Sequence, residues 1–96
     1  MKISLKQVPS CVSSRTPFNC NKSLFSEQID SAYIVYSCGK HFPVAAFVKG
    51  VWLFNEDRDS RTTSRHQSKV LQGLPTDNVV KTTGSHIKDV VAALTH

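Results

Sequence analysis

Disulfide chemistry has little to work with in this chain. Its three cysteines, Cys11, Cys20 and Cys38, are odd in number and unpatterned in spacing, which suits reduced thiols over a stapled secreted fold. A Cys11–Cys20 bridge is open on spacing alone, but a cytosol would keep both thiols reduced. Long apolar runs are also missing, and nothing approaches the ~20 consecutive residues a membrane-spanning helix needs. Met1–Lys6 starts with a charge and develops no apolar run, so no secretory leader is expected and the acceptor-like Asn21-Lys22-Ser23 carries no weight. Carboxylates are scarce as well: seven against twelve cations give a formal charge of +5. That balance favours acidic partners such as nucleic acid, although it lies within the ordinary range for a small domain. With 96 residues and 40% hydrophobic content, one thin core is feasible and a second is not. A soluble, cytoplasmic single domain spanning 1–96 is the expectation, with no membrane association.

What is present falls into segments of clear period. Residues 2–8 alternate and predict a short strand that Pro9 ends. Residues 9–23 are rich in Ser, Asn, Cys and Pro and predict a long loop pinned by Phe18. Leu24–Ile29 reads as a strand, followed by a turn at Asp30-Ser31. Ala32–Tyr36 and Val44–Val48 are apolar on both alternating faces, and Val51–Phe54 continues the pattern. Short reversals at Cys38–His41 and Lys49-Gly50 join them into an antiparallel meander. Asn55–Ser60 reads as a solvated charged loop. A helix is then predicted with Ser64 and Gln67 as its capping box, Val70, Leu71 and Leu74 as its buried stripe, and Gly73-Pro75 as its stop. Asn78–Thr83 predicts another strand. A last helix is capped by Ser85, with Ile87, Val90, Val91 and Leu94 on one face. The fold class expected is α+β: an antiparallel meander of about four or five strands, a short helix after it, and a C-terminal helix packed on one face.

The densest polar cluster is Thr62-Thr63-Ser64-Arg65-His66-Gln67-Ser68. A helix start presents unpaired N–H groups and a partial positive charge, and Arg58, Arg61 and Arg65 add cations suited to an anion or an acidic partner. Arg58, Arg61, Thr62, Thr63, Ser64, Arg65, His66 and Ser68, with Lys40 and His41 from the first reversal, are therefore the candidate binding residues. Helix capping is the competing explanation for Ser64 and Gln67. Cys38, His41 and His66 complete neither a four-ligand zinc set nor a nucleophile, base and orienting group. No metal, cofactor or catalytic residue is expected, and the histidines read best as hydrogen-bonded structural groups. Tyr33, Tyr36, Phe47, Trp52 and Phe54 could stack single-stranded bases if one sheet face were open. Core packing is the competing account.

The middle of the chain carries a resemblance. Tyr33-Ile34-Val35-Tyr36-Ser37-Cys38-Gly39-Lys40-His41-Phe42-Pro43-Val44-Ala45, followed by Trp52, Asn55-Glu56-Asp57 and Ser60-Arg61-Thr62-Thr63-Ser64-Arg65-His66-Gln67-Ser68, resemble a family of small phage- and mobile-element-associated proteins with a domain of unknown function. Its pattern runs Tyr-x-Val-Tyr-Ser-Tyr-Gly-x-His-Phe-Pro, then Thr-Thr-Ser-x-His-Gln-Ser. This chain departs at Cys38 and Asp59, where aromatic residues are expected. The resemblance covers residues 32–68 and implies a mobile-element origin in a host-cell cytoplasm. It implies a small non-enzymatic protein that binds a host protein or ribonucleoprotein complex, as an anti-CRISPR-type inhibitor of host defence would. The alternative drawn from the charge is a nucleic-acid-binding accessory protein acting on single-stranded DNA or RNA.

Overall fold

The computed structural model describes residues 3–20, 24–37, 42–57, 61–75 and 77–94, with the side chains of 61–63 outside that description. The chain is α+β, built on one six-stranded sheet in the order β1-β2-β3-β4-β5-β6. Strands β1 (Asn19–Cys20), β2 (Leu24–Ile29), β3 (Ala32–Ser37), β4 (Pro43–Val48) and β5 (Val51–Asn55) run antiparallel in succession. The β4–β5 turn has both Lys49 (φ 51) and Gly50 (φ 82) at positive φ, which matches the right-handed twist of the strands it joins. Strand β6 (Val79–Thr82) then pairs parallel to β5. A parallel neighbour demands a crossover, and helix α2 (Arg61–Gln72) supplies it. After β6 the chain enters helix α3 (Gly84–Leu94).

The doubly apolar strands are explained by cover on both faces. On one face Tyr33, Val35, Trp52 and Phe54 pack with Val8, Cys11 and Val12 of helix α1 (Val8–Ser13) and with Val70 and Leu74 at the end of α2. On the other, Ala32, Ile34, Tyr36, Ala46 and Val48 pack under Ile87, with Val90, Val91 and Leu94 against them. The α3 stripe expected from its spacing therefore meets the sheet. Val44 and Ala45 both face the α1–α2 side because the β3–β4 register slips between Val35 and Tyr36, a bulge that spends one extra residue of β4.

Several local expectations are corrected. Within the described residues, 3–8 are not a strand and 9–20 are not one loop. Leu5–Gln7 is a 3₁₀ turn leading into α1, with Pro9 in its first turn, where a missing N–H costs nothing. Val8, Cys11 and Val12 fall at i, i+3 and i+4, so the helical period was present within the short alternation. Helix α2 begins at Arg61, three positions before the expected cap, and the C-terminal helix is capped by Thr83 and not by Ser85. The Thr83 hydroxyl accepts from the His86 N–H at 3.2 Å. Leu71 is 43% exposed instead of buried. Asn55, assigned to a solvated loop, ends β5 with no exposed surface. The Cys38–His41 reversal lies outside the described residues.

The aromatics lie in the core. Trp52 is 3% exposed, edge-on to Tyr33 with ring centroids 6.0 Å apart and tilted against Phe47 at 5.2 Å. Burial pushes the Tyr33 hydroxyl up to about 12, and that hydroxyl donates to the Thr16 carbonyl at 2.8 Å. Phe47 keeps some exposure but carries the Arg15 guanidinium 4.6 Å above its ring. Helices cover both faces, so most of the described sheet aromatics are packed, while Phe47 and Trp52 also line an open pocket beside Arg15.

Two substitutions test this packing. Trp52→Ala is expected to cost about 3–5 kcal/mol in chemical denaturation, since it empties the centre of the larger core cluster. An unchanged midpoint would place the ring outside the core. Gly73→Ala would set its Cβ against the Pro9 carbonyl where α1 meets the end of α2, and is expected to lower the melting midpoint although alanine favours helices.

Candidate functional site

Strands β3 and β5 both run antiparallel to β4, and β6 runs with β5, so Ser37, Asn55 and Thr82 end at the same edge of the sheet. Helix α2 leaves from this end and α3 begins here. The end of β3 and the second turn of α2 meet at this place.

The junction is made of buried hydrogen bonds. The Ser37 hydroxyl and His66 Nδ1 lie 2.7 Å apart, tying the end of β3 to the second turn of α2. One residue on, the Gln67 amide donates to the Asn55 carbonyl at 2.7 Å and the Asp57 carbonyl at 2.8 Å. The Asn55 side chain donates to the Pro43 carbonyl at 2.7 Å and accepts from the Asp57 N–H at 2.8 Å. Asp57 Oδ2 in turn accepts from the Gly84 N–H at 3.0 Å, so a carboxylate of the chain itself occupies the electropositive start of α3. The approach is close: a Cβ on Gly84 would sit 2.9 Å from Asn55 Nδ2, so a larger residue would press on that hydrogen-bonded amide. Strands β3, β4 and β5 and both long helices are thus joined through Ser37, Asn55, Asp57, His66 and Gln67.

A serine hydroxyl at hydrogen-bonding distance from an imidazole has the spacing of a nucleophile and its base. Ser37 has no exposed surface and His66 only 6%, so the hydroxyl does not face a space where a substrate could lie. Burial, with a smaller contribution from the Arg65 charge, holds the His66 pKa below its ordinary value. The neutral ring is therefore the form the fold accommodates. Among the described residues no cluster of three or more His, Cys, Asp or Glu could hold a metal ion, and no helix is long and apolar enough to cross a membrane.

The expected binding residues separate. His66 points inward. Arg65 and Ser68 stand exposed on α2, and Ser64 is half-buried beside them. Ser64 and Ser68, with Gln67 and Leu71, form one wall of a groove of about 220 Å³ whose other wall is Phe54, Glu56 and Lys81. Arg61, Thr62 and Thr63 lie in the first turn of α2, with side chains outside the described set. Lys40, His41 and Arg58 lie outside the described residues altogether. Ser37, Asn55, Asp57 and Gln67 were not among the candidates. Their one signal is position: all four lie within residues 32–68, and Asn55 and Asp57 sit where the last strand of the meander gives way to a charged connection.

Comparison of the chain with family models, characterised proteins and solved structures finds no match.

Neutral His66 makes stability depend on pH. The unfolded state takes up the proton first as pH falls through the ordinary histidine value of 6.5, so stability is full above it and declines below it until the folded ring titrates. The midpoint of urea unfolding should fall between about pH 8 and about pH 5, and fall less in His66→Gln. Equal slopes in the two proteins would contradict this. At neutral pH, Gln67→Leu leaves the Asn55 and Asp57 carbonyls short of a donor and is expected to lose about 1–3 kcal/mol in denaturant titration.

Proposed function

We propose that this protein acts by binding a macromolecular partner through the outer face of α2, with Ser64, Arg65 and Ser68 as its polar contacts and Leu71 as its apolar one. The carrying observation is the division of α2. His66, Gln67, Val70 and Leu74 hold the helix to the sheet, while Arg65, Ser68 and Leu71 have exposed side chains that this packing leaves unused. A rigidly held helix face with polar and apolar groups interspersed suits protein recognition, because little conformational freedom is lost on docking. Together with the signature resemblance, this supports reading the protein as a small non-enzymatic accessory of phage type. Its partner is then a host protein or ribonucleoprotein complex, and its effect the inhibition of host defence in the manner of an anti-CRISPR protein. The contact surface extends to Arg58, Arg61, Thr62, Thr63, Lys40 and His41 in this reading.

A second reading rests on charge. The chain carries +5, and Arg65, Lys69 and Lys81 lie on α2 and the neighbouring strand. Nucleic acid would then be held by its backbone, not by stacking on the sheet.

The two readings part in one set of experiments. Affinity purification from a bacterial host lysate is expected to recover a defined complex that Arg61→Ala/Arg65→Ala loses while its melting midpoint holds. Recovery of nothing specific, or equal recovery by the variant, contradicts the first reading. Binding to labelled single-stranded DNA or RNA should weaken steeply with salt under the second, and a flat response excludes it.

A further inference from the structure

The two edges of the sheet are not alike. At one edge β1 is only two residues long, and its Asn19 carbonyl accepts the Ile3 N–H at 3.0 Å. β1 covers only Leu24 and Phe25 of β2, so this edge is stepped and short. At the other edge β6 is outermost, and its hydrogen bonds reveal which backbone groups face outward. Trp52 N–H donates to Asn78 O and Glu56 N–H to Thr82 O, both at the β5 side. Backbone direction alternates along a strand, so Val80 also faces β5, while the N–H and C=O of Val79 and Lys81 face away from the sheet. Beside this edge lie Leu71 at 43% exposure and Val80 at 49%, the large apolar side chains that stand exposed among the described residues.

We propose that β6 pairs antiparallel with β6 of a second copy of this chain, joining two sheets into one across a twofold axis at Val80. The register follows from the outward groups. Setting Val79 opposite the second copy's Lys81, and Lys81 opposite its Val79, uses every outward N–H and C=O of β6. Sliding by one pair either leaves half of them unused or sets Lys81 against Lys81, which is unfavourable. In the chosen register Val80 faces Val80 at a position not bridged by hydrogen bonds, where side chains approach most closely. The occupant is therefore a second copy. The edge offers its own complement, and it leaves the outer α2 face at Arg65 free. This inference does not rest on the binding reading above.

Sedimentation equilibrium of the full chain, from low-micromolar to near-millimolar concentration, tests it. The mass is expected to rise from 10.7 kDa toward twice that value. Val80→Lys should weaken association by about tenfold or more, by placing like charges together at the axis. Amide hydrogen exchange gives an internal control. Val79 and Lys81 should be slow in the wild-type dimer and fast in Val80→Lys, while Val80, bonded to β5, stays slow in both. A single-chain mass throughout the range overturns the proposal. So does a dimer that Val80→Lys leaves intact, because its seam would then lie elsewhere.

Discussion

The lock between α2 and the sheet is the constraint on which the rest of this structure depends. Helix α2 is the crossover that turns an antiparallel meander into a sheet with a parallel edge, and apolar contact from Val70 and Leu74 holds only its C-terminal half. Its N-terminal half is held by polar groups: His66 on Ser37, and Gln67 on the carbonyls of Asn55 and Asp57. Buried polar bonds of this kind add modest net stability but are expensive to break one-sidedly, so they fix position more than they add strength. They tie the second turn of α2 to the strand ends, with Arg65 and Ser68 left facing outward beside it.

Ser37 at the end of β3 lies far in sequence from α2, with β4, β5 and a charged connection between them, yet it joins His66 and Gln67 in making the joint, while Ser64 and Ser68 are displayed beside it. The same joint extends to α3, because the Asp57 carboxylate caps its first turn and Gly84 lets it approach Asn55. One consequence is that the start of α3, which would otherwise attract an external anion, already holds an internal one.

The meander was legible because strands with a period of two, separated by turn residues, leave few alternatives. The apolar character of both strand faces also pointed to cover on two sides. Other elements were hidden for identifiable reasons. Pro9 terminates strands and starts helices equally well, so α1 was read in the wrong sense. Strand β6 gave no sign of its direction, since pairing parallel to β5 is a property of the crossover and not of Val79–Thr82. In α2, Ser64 and Gln67 matched a capping box, which set the helix start three residues late. Hydrophobic period alone places Leu71 inside and gives Gln67 only a capping role, whereas the reading of His66 as a hydrogen-bonded structural group agrees with its bond to Ser37. Polar side chains that are buried because they satisfy strand ends cannot be told from surface ones by hydrophobic period alone.

The account stands most directly on the energetic coupling of Ser37 to His66. A double-mutant cycle with Ser37→Ala, His66→Leu and the pair, followed by urea denaturation at neutral pH, isolates that coupling from the individual losses. The structure predicts an interaction energy of about 1 kcal/mol or more, with the double variant less destabilised than the sum of the singles. Additivity within about 0.3–0.5 kcal/mol would mean that the two side chains do not hold α2 to the sheet.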